Sequence, residues 1–150
     1  MNTEIRDITV DNVKEILALH VAQEQANYVE TPEECLEEAK QDTHYIPVGL
    51  YVEETPVGFA MYGEFPDDIE GRRIWLDRYF IDSHYQGKGY GKLFCEHLLQ
   101  FLTEKYGCNK IYLSVYEDNE IAINMYKKLD FHFNGELDIK GEKVMVRVIQ

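Results

Sequence analysis

Residues 86–91 of this 150-residue chain read Gln86-Gly87-Lys88-Gly89-Tyr90-Gly91, with glycine at alternate positions. Glycines let consecutive backbone N–H groups converge, and a helix N-terminus behind them adds about half a positive charge. A strand running into such a stretch and on into a helix is therefore suited to hold a phosphate or pyrophosphate. A tight turn that needs positive φ and binds nothing has the same composition. Spacing excludes two phosphate motifs. The dinucleotide fingerprint wants glycine where Lys92 or Phe94 stands, and the P-loop wants glycine at Gln86 and Ser or Thr at Leu93. Two further residues can do chemistry. Asp77 interrupts the apolar run from Ile74 to Ile81, and a buried carboxylate without a partner is costly. It pairs with Arg72, Arg73 or Arg78, or it meets a cation from outside. Tyr126 falls on the apolar side of a short helical pattern, where a phenol is either packing or a proton donor. Cys35, Cys95 and Cys108 are far apart, an odd set without zinc spacing, so reduced thiols and no metal are expected.

The elements that position these residues follow from periodicity. Asp11 is a candidate cap for a helix whose apolar positions Val13, Ile16, Leu17 and Val21 keep a 3.6 period. Thr31-Pro32-Glu33-Glu34 combines a cap, a proline at the first helical position and a capping box, and predicts a helix to about Lys40. The period then shortens. Residues 48–52 and 57–62 read as a hairpin around Glu54-Thr55-Pro56, and 66–71 as a polar loop. The run 74–81 is almost continuously apolar, as a central strand is. After the glycine turn, Phe94, Leu98, Phe101 and Leu102 mark a helix that stops near Gly107. A strand at 110–116, a helix through Ala122, Met125, Tyr126 and Leu129, and strands at 131–137 and 143–148 complete the chain. This α-α-β-β-β-α-β-α-β-β order predicts an α+β (mixed α/β) fold, a mostly antiparallel sheet with one parallel pair around the long helix. No linker or repeat divides it, so residues 1–150 are expected to form a single domain.

Gln86-x-x-Gly89-x-Gly91 after a central strand resembles the acetyl-coenzyme A loop of the GNAT acetyltransferases, Gln/Arg-x-x-Gly-x-Gly/Ala. Asn119-x-x-Ala122-x-x-x-Tyr126-x-x-Leu129-x-Phe131 is similar to that family's second motif, and the order of elements matches over nearly the whole chain. One position departs: the family usually has glycine before the phenylalanine, and Asp130 stands here, a residue that tolerates the left-handed conformation. The segment from Leu76 to Gly91, with the ending from Phe133 to Val146, resembles the spermine/spermidine N-acetyltransferase branch. The resemblance implies a central sheet with a splayed parallel strand pair and helices on both faces. It implies acetyl-coenzyme A as cosubstrate, its pyrophosphate held by the backbone of Gly87, Lys88, Gly89, Tyr90, Gly91 and Lys92 behind Gln86. Tyr79, Phe80 and Ile81 would pair through their backbone with the pantetheine arm, an amide such as that of Ile81 facing the thioester oxygen, with Asn119 on the other side.

The same resemblance assigns roles in acetyl transfer. An alkylamine has a pKa of about 10.4 and must lose a proton to attack. The oxyanion needs a donor, and the leaving thiolate benefits from a proton. Tyr126 stands where the family keeps its general acid. Asp77 would bind the substrate ammonium or relay its proton, and Glu24, Tyr28 and Glu30 fall where the acceptor site is built. Glu33, Glu34, Glu37 and Glu38 fit a solvated helix face. The family fold also serves amino acids, aminoglycosides and peptides, and a non-catalytic acyl-coenzyme A sensor is an alternative. Homodimers are common in it.

Bulk charge bears on the choice of partner. Fifteen Lys plus Arg against 28 Asp plus Glu leave a net charge of −13. A nucleic-acid binder shows a basic footprint, which is missing, and an anionic membrane surface is disfavoured for the same reason. A cationic amine would be drawn in by such a field, although acidity also serves plain solubility. No apolar run approaches the ~20 residues that span a bilayer. The opening residues carry no apolar signal core, so a cytoplasmic location is expected.

Overall fold

A computed structural model describes residues 2–149. Seven strands form one sheet: β1 (Thr3–Asp7), β2 (Tyr45–Val52), β3 (Thr55–Asp67), β4 (Gly71–Ile81), β5 (Lys110–Val115), β6 (His132–Leu137) and β7 (Lys143–Val148). Their spatial order is β1-β2-β3-β4-β5-β7-β6, and every pairing is antiparallel except β4 with β5. The four helices are α1 (Val13–Leu17), α2 (Pro32–Gln41), α3 (Tyr90–Tyr106) and α4 (Glu120–Lys128). The crossover through α3 makes β4 and β5 parallel, because a connection that long can return the chain to the same end of the sheet. None of the helices is long and apolar enough to cross a membrane.

Alternation along the strands divides the core between two faces. On β3, Phe59 and Met61 join Ile16, Leu19 and Cys35 beneath α1 and α2, while Ala60 and Tyr62 face the other way. There they meet Phe94, Leu98 and Leu102 of α3 and Ile123 and Tyr126 of α4. The expected mixed architecture with helices on both faces, and the central position of the apolar strand, are as observed. The capping box at Thr31 and Glu34 is formed with both of its bonds, and Gly107 caps α3 in the left-handed conformation. All three cysteines are free thiols.

Three expectations need correction. The strand β1 was missing from the element order; its short, largely polar sequence gains its place by pairing with β2. Helix α1 is capped at Asn12 rather than Asp11 and ends before Val21, so the apolar spacing outruns the helix. The polar loop expected at 66–71 is shorter: Pro66, Asp67 and Gly71 are strand, and 68–70 alone form the turn. Arg72 pairs with Glu64 and Arg73 with Asp67 and Glu70, and these ion pairs hold the polar strand ends together.

Candidate active site

The site is built where the sheet is interrupted. Met61 lies opposite Arg78 and Tyr62 opposite Leu76, which leaves Asp77 as the extra residue of a bulge in β4. A bulge bends its strand and ends regular pairing. Accordingly β4 and β5 pair only at Trp75 and Tyr112 among the described residues, and beyond that point they diverge. A cavity of about 70 Å³ opens in the gap, lined by Leu76, Asp77 and Tyr79 of one strand and Ser114 and Val115 of the other. On one side it adjoins a cleft of about 300 Å³ lined by Tyr79, Phe80, Ile81, Gly87, Gly91 and Tyr126. On the other it adjoins a cavity of about 390 Å³ that shares Asp77, Arg78, Ser114 and Glu142 with it. The three spaces form a row through the sheet.

The cleft suits an anionic ligand with an extended arm. Gly87 and Gly89 have φ of 80° and 83°, the left-handed geometry that glycine permits. Among the described residues no protein acceptor takes up the N–H groups of 87–92, and they stand at the N-terminus of α3. These unbonded donors fit a pyrophosphate. Gly91 packs against Met125, whose sulfur would lie 3.5 Å from an added Cβ. Gln86 supports the loop from beneath: its Nε2 donates to the Ile81 carbonyl at 2.9 Å and to Gln25 Oε1 at 3.0 Å. Lys88 and Lys92 are exposed, and Lys88 lies over the Tyr85 ring. The Asp82 N–H donates to the Val57 carbonyl of β3 at 2.8 Å. Alternation then turns the Ile81 N–H to the opposite edge, toward the gap. Asn119 caps α4, accepting from the Ala122 N–H, and lines both the cleft and the gap.

Tyr126 sits on α4 where cleft and gap meet. It is 8 % exposed, and burial, with Cys95 nearby, pushes its phenol far above the usual range, so it keeps its proton. Its position is fixed by the helix end. The Phe131 N–H donates to the Tyr126 carbonyl, the Asp130 N–H to that of Lys127, and the rings of Tyr126 and Phe131 meet edge to face. This is a Schellman motif, and Asp130 takes its left-handed position with φ of 67°. The Tyr79 hydroxyl donates to the Gly91 carbonyl, joining β4 to the first turn of α3.

Asp77 has none of the arginine partners that its sequence offers. Arg72 pairs with Glu64, and Arg73 with Asp67, Glu70 and Glu136. Arg78 pairs with Glu30 and Glu38 and donates to the backbone carbonyl of Asp77, not to its carboxylate. The Asp77 Oδ2 is buried without a hydrogen-bond partner among the described residues. Burial raises its pKa well above the ordinary carboxylate value; Arg78 opposes that rise, and Glu38 and Asp42 add to it.

Of the expected acceptor residues, Tyr28 lines the gap and the cleft, its ring 5.9 Å from that of Tyr116. Glu30 borders the gap, but its carboxylate is bound by Arg78 at 2.7 Å and Lys140 at 3.0 Å. Glu24 is not brought to the site. It is exposed in a three-residue 3-10 turn, Gln23–Gln25, and there the adjacent Gln25 is the side chain that lines the cleft. Glu38, read as a solvated face, pairs with Arg78 at the outer cavity. Gln25, Ser114, Tyr116 and Glu142 were missed because no sequence spacing ties them to the motifs; the register of β5 with β7, Val115 opposite Lys143, brings Glu142 to the gap.

With this geometry in place, the comparisons with known proteins agree. Residues 13–131 match the model of the acetyltransferase (GNAT) family. The chain is 53% identical to the spermine/spermidine N(1)-acetyltransferase of Bacillus subtilis strain 168, over 98% of this chain and 99% of that protein. The fold is similar to that of a spermidine N-acetyltransferase from Vibrio cholerae in complex with CoA and spermine, with TM-score 0.72, 19% identity, and 97% and 95% of the two chains covered. It is also similar to the PaiA N-acetyltransferase from Thermoplasma acidophilum in complex with coenzyme A, with TM-score 0.69, 16% identity and 99% of each chain covered. The unbonded amides of the glycine loop, the splay at Asp77 and the tyrosine on α4 thus belong to an N-acetyltransferase of the GNAT family, with acetyl-coenzyme A as its cosubstrate.

Proposed function

We propose that the enzyme acetylates a primary amine of spermine or spermidine by direct attack within a ternary complex. The observation that carries this reading is the buried, unpartnered Oδ2 of Asp77 between the cofactor cleft and an acid-lined cavity. An uncompensated buried carboxylate calls for a cation. A polyamine brings one, and the 53% identical relative is named for these substrates.

Bound acetyl-coenzyme A supplies an activated acyl group on a good leaving thiol. Residues 87–92 hold the pyrophosphate through their N–H groups, and Lys88 and Lys92 offset the acidic surroundings. The backbone of Tyr79, Phe80 and Ile81 and the amide of Asn119 flank the arm, and the Ile81 N–H meets the charge that develops on the carbonyl oxygen. Asp77 orients the incoming ammonium and takes its proton, directly or through water, which frees the nitrogen lone pair. The C–N bond forms, the C–S bond breaks, Tyr126 gives its proton to the leaving sulfur, and the second proton of the acylated nitrogen passes through water to the Tyr126 phenolate, which restores the phenol. Tyr28 walls the space where nucleophile and thioester meet.

The test is thiol release from acetyl-coenzyme A against spermine, spermidine, putrescine, single amino acids, an aminoglycoside and a basic peptide. Turnover confined to spermine and spermidine is expected. Turnover of amino acids or peptides in preference to polyamines would overturn the substrate assignment, and cofactor binding without any turnover would favour a sensor.

A further inference from the structure

Five carboxylates stand around the outer cavity: Glu38, Asp77, Glu136, Asp138 and Glu142. Three are occupied by the protein's own donors. Glu38 is held by Arg78 and Glu136 by Arg73, while Asp138 accepts from the N–H groups of Lys140 and Glu142 within its turn. Asp77 and Glu142 are the remaining two. The Asp77 Oδ2 is buried without a partner, and among the described residues Glu142 is bonded through its backbone N–H and carbonyl and not through its carboxylate. These are also the only two of the five that line the gap where β4 and β5 part. Burial, with Asp138 and Glu30 close by, raises the Glu142 pKa, although Lys140 and Arg78 oppose the rise. A cation entering beside Glu142 relieves that repulsion.

The backbone there is fixed rather than loose. The Glu142 N–H donates to Asp138 Oδ1 and the Asp138 N–H to the Glu142 carbonyl, each at 2.9 Å. Lys140, in the same turn, ties it to Glu30. We propose that Glu142 is a second ammonium anchor, which with Asp77 selects an acceptor carrying two neighbouring positive charges over a monoamine. This rests on the polyamine reading above: Asp77 receives the reacting nitrogen and Glu142 the next one along the chain.

The test pairs binding with turnover. Spermidine is titrated calorimetrically into the protein saturated with coenzyme A, and kcat/KM is measured for spermidine and for n-butylamine. In Glu142→Gln, spermidine should bind about tenfold more weakly, and the spermidine-over-butylamine ratio of kcat/KM should fall about tenfold. Glu142→Asp should recover part of both and stands in if the glutamine variant does not fold. Unchanged affinity and ratio, or an equal loss on both amines, would overturn the second anchor and leave the polyamine reading intact. Wild-type protein that neither binds nor acetylates spermidine would overturn that reading, and the anchor with it.

Discussion

Tyr126 and Asp77 both line the gap between β4 and β5, Tyr126 on the side of the cleft and Asp77 on the side of the outer cavity, and burial of the phenol and of the Asp77 Oδ2 favours the neutral form of each. For Tyr126 this keeps a proton ready to give. Tyr126→Phe retains the ring against Phe131 and should lower kcat about 100-fold, within the range of general acid catalysis, while cofactor affinity stays close to wild type. An unchanged kcat would remove Tyr126 from the chemistry. For Asp77 the same environment costs stability whenever the carboxylate is charged. Its folded pKa is raised, so the fold is unburdened below the unfolded value, about 3.9, and loses stability as pH climbs through the folded one. Asp77→Asn should therefore raise Tm by a few degrees at pH 7.5, a gain that shrinks toward pH 4, and should abolish most turnover. A drop in Tm at pH 7.5 would mean that the charge is compensated. The sequence singled out both residues, Tyr126 by its motif and Asp77 by its intrusion into an apolar strand. What it left open at Asp77 was the choice between an arginine and an outside cation, because three nearby arginines were free to pair until the fold committed each elsewhere.

The end of α4 is the element on which the position of Tyr126, the proposed acid, depends. Asp130 holds the left-handed position of the Schellman motif with φ of 67°, and its side chain makes no hydrogen bond among the described residues that would reward it. A β-carbon in this region is costly, and glycine is free of that cost. Asp130→Gly should stabilise the protein by about 0.5–1 kcal/mol, a rise of roughly 1–4 °C in Tm, with Tyr126 kept in place. A lower Tm would show that the aspartate does something here that its backbone geometry does not reveal. Elements of this kind were legible wherever a cap, a period or a glycine marked them: α2 by its capping box, α3 by its apolar face and Gly107, and β7 by its bounds. Those that depend on partners were not. Strand β1 exists because β2 offers it an edge, and the polar ends of β3 and β4 exist because their charges pair across the hairpin. The bulge at Asp77, which makes the site, arises from the mismatch between two long strands and leaves no mark in either one alone.

At the scale of the whole molecule, a net charge of −13 surrounds the cleft for an anionic cofactor and the cavity proposed to take a cation. The two ligands should therefore respond to salt with opposite signs. A polyamine is drawn in by the field, and screening weakens that attraction as the Debye length falls to ~10 Å near 0.1 M. Acetyl-coenzyme A approaches against the same field, offset on its loop by the exposed cations Lys88 and Lys92, so screening helps it. Between about 0.02 and 0.3 M sodium chloride, kcat/KM for spermidine should fall severalfold while that for acetyl-coenzyme A holds or rises. The comparison is informative because both constants come from one enzyme at one salt concentration, so a general effect of salt on folding or chemistry lowers them together. Parallel decline would mean that the acidic surface serves solubility and does not steer the acceptor. Divergence would assign the charge imbalance a part in delivering a polycation to the outer cavity, where its first contacts are the carboxylates that the protein leaves unpaired.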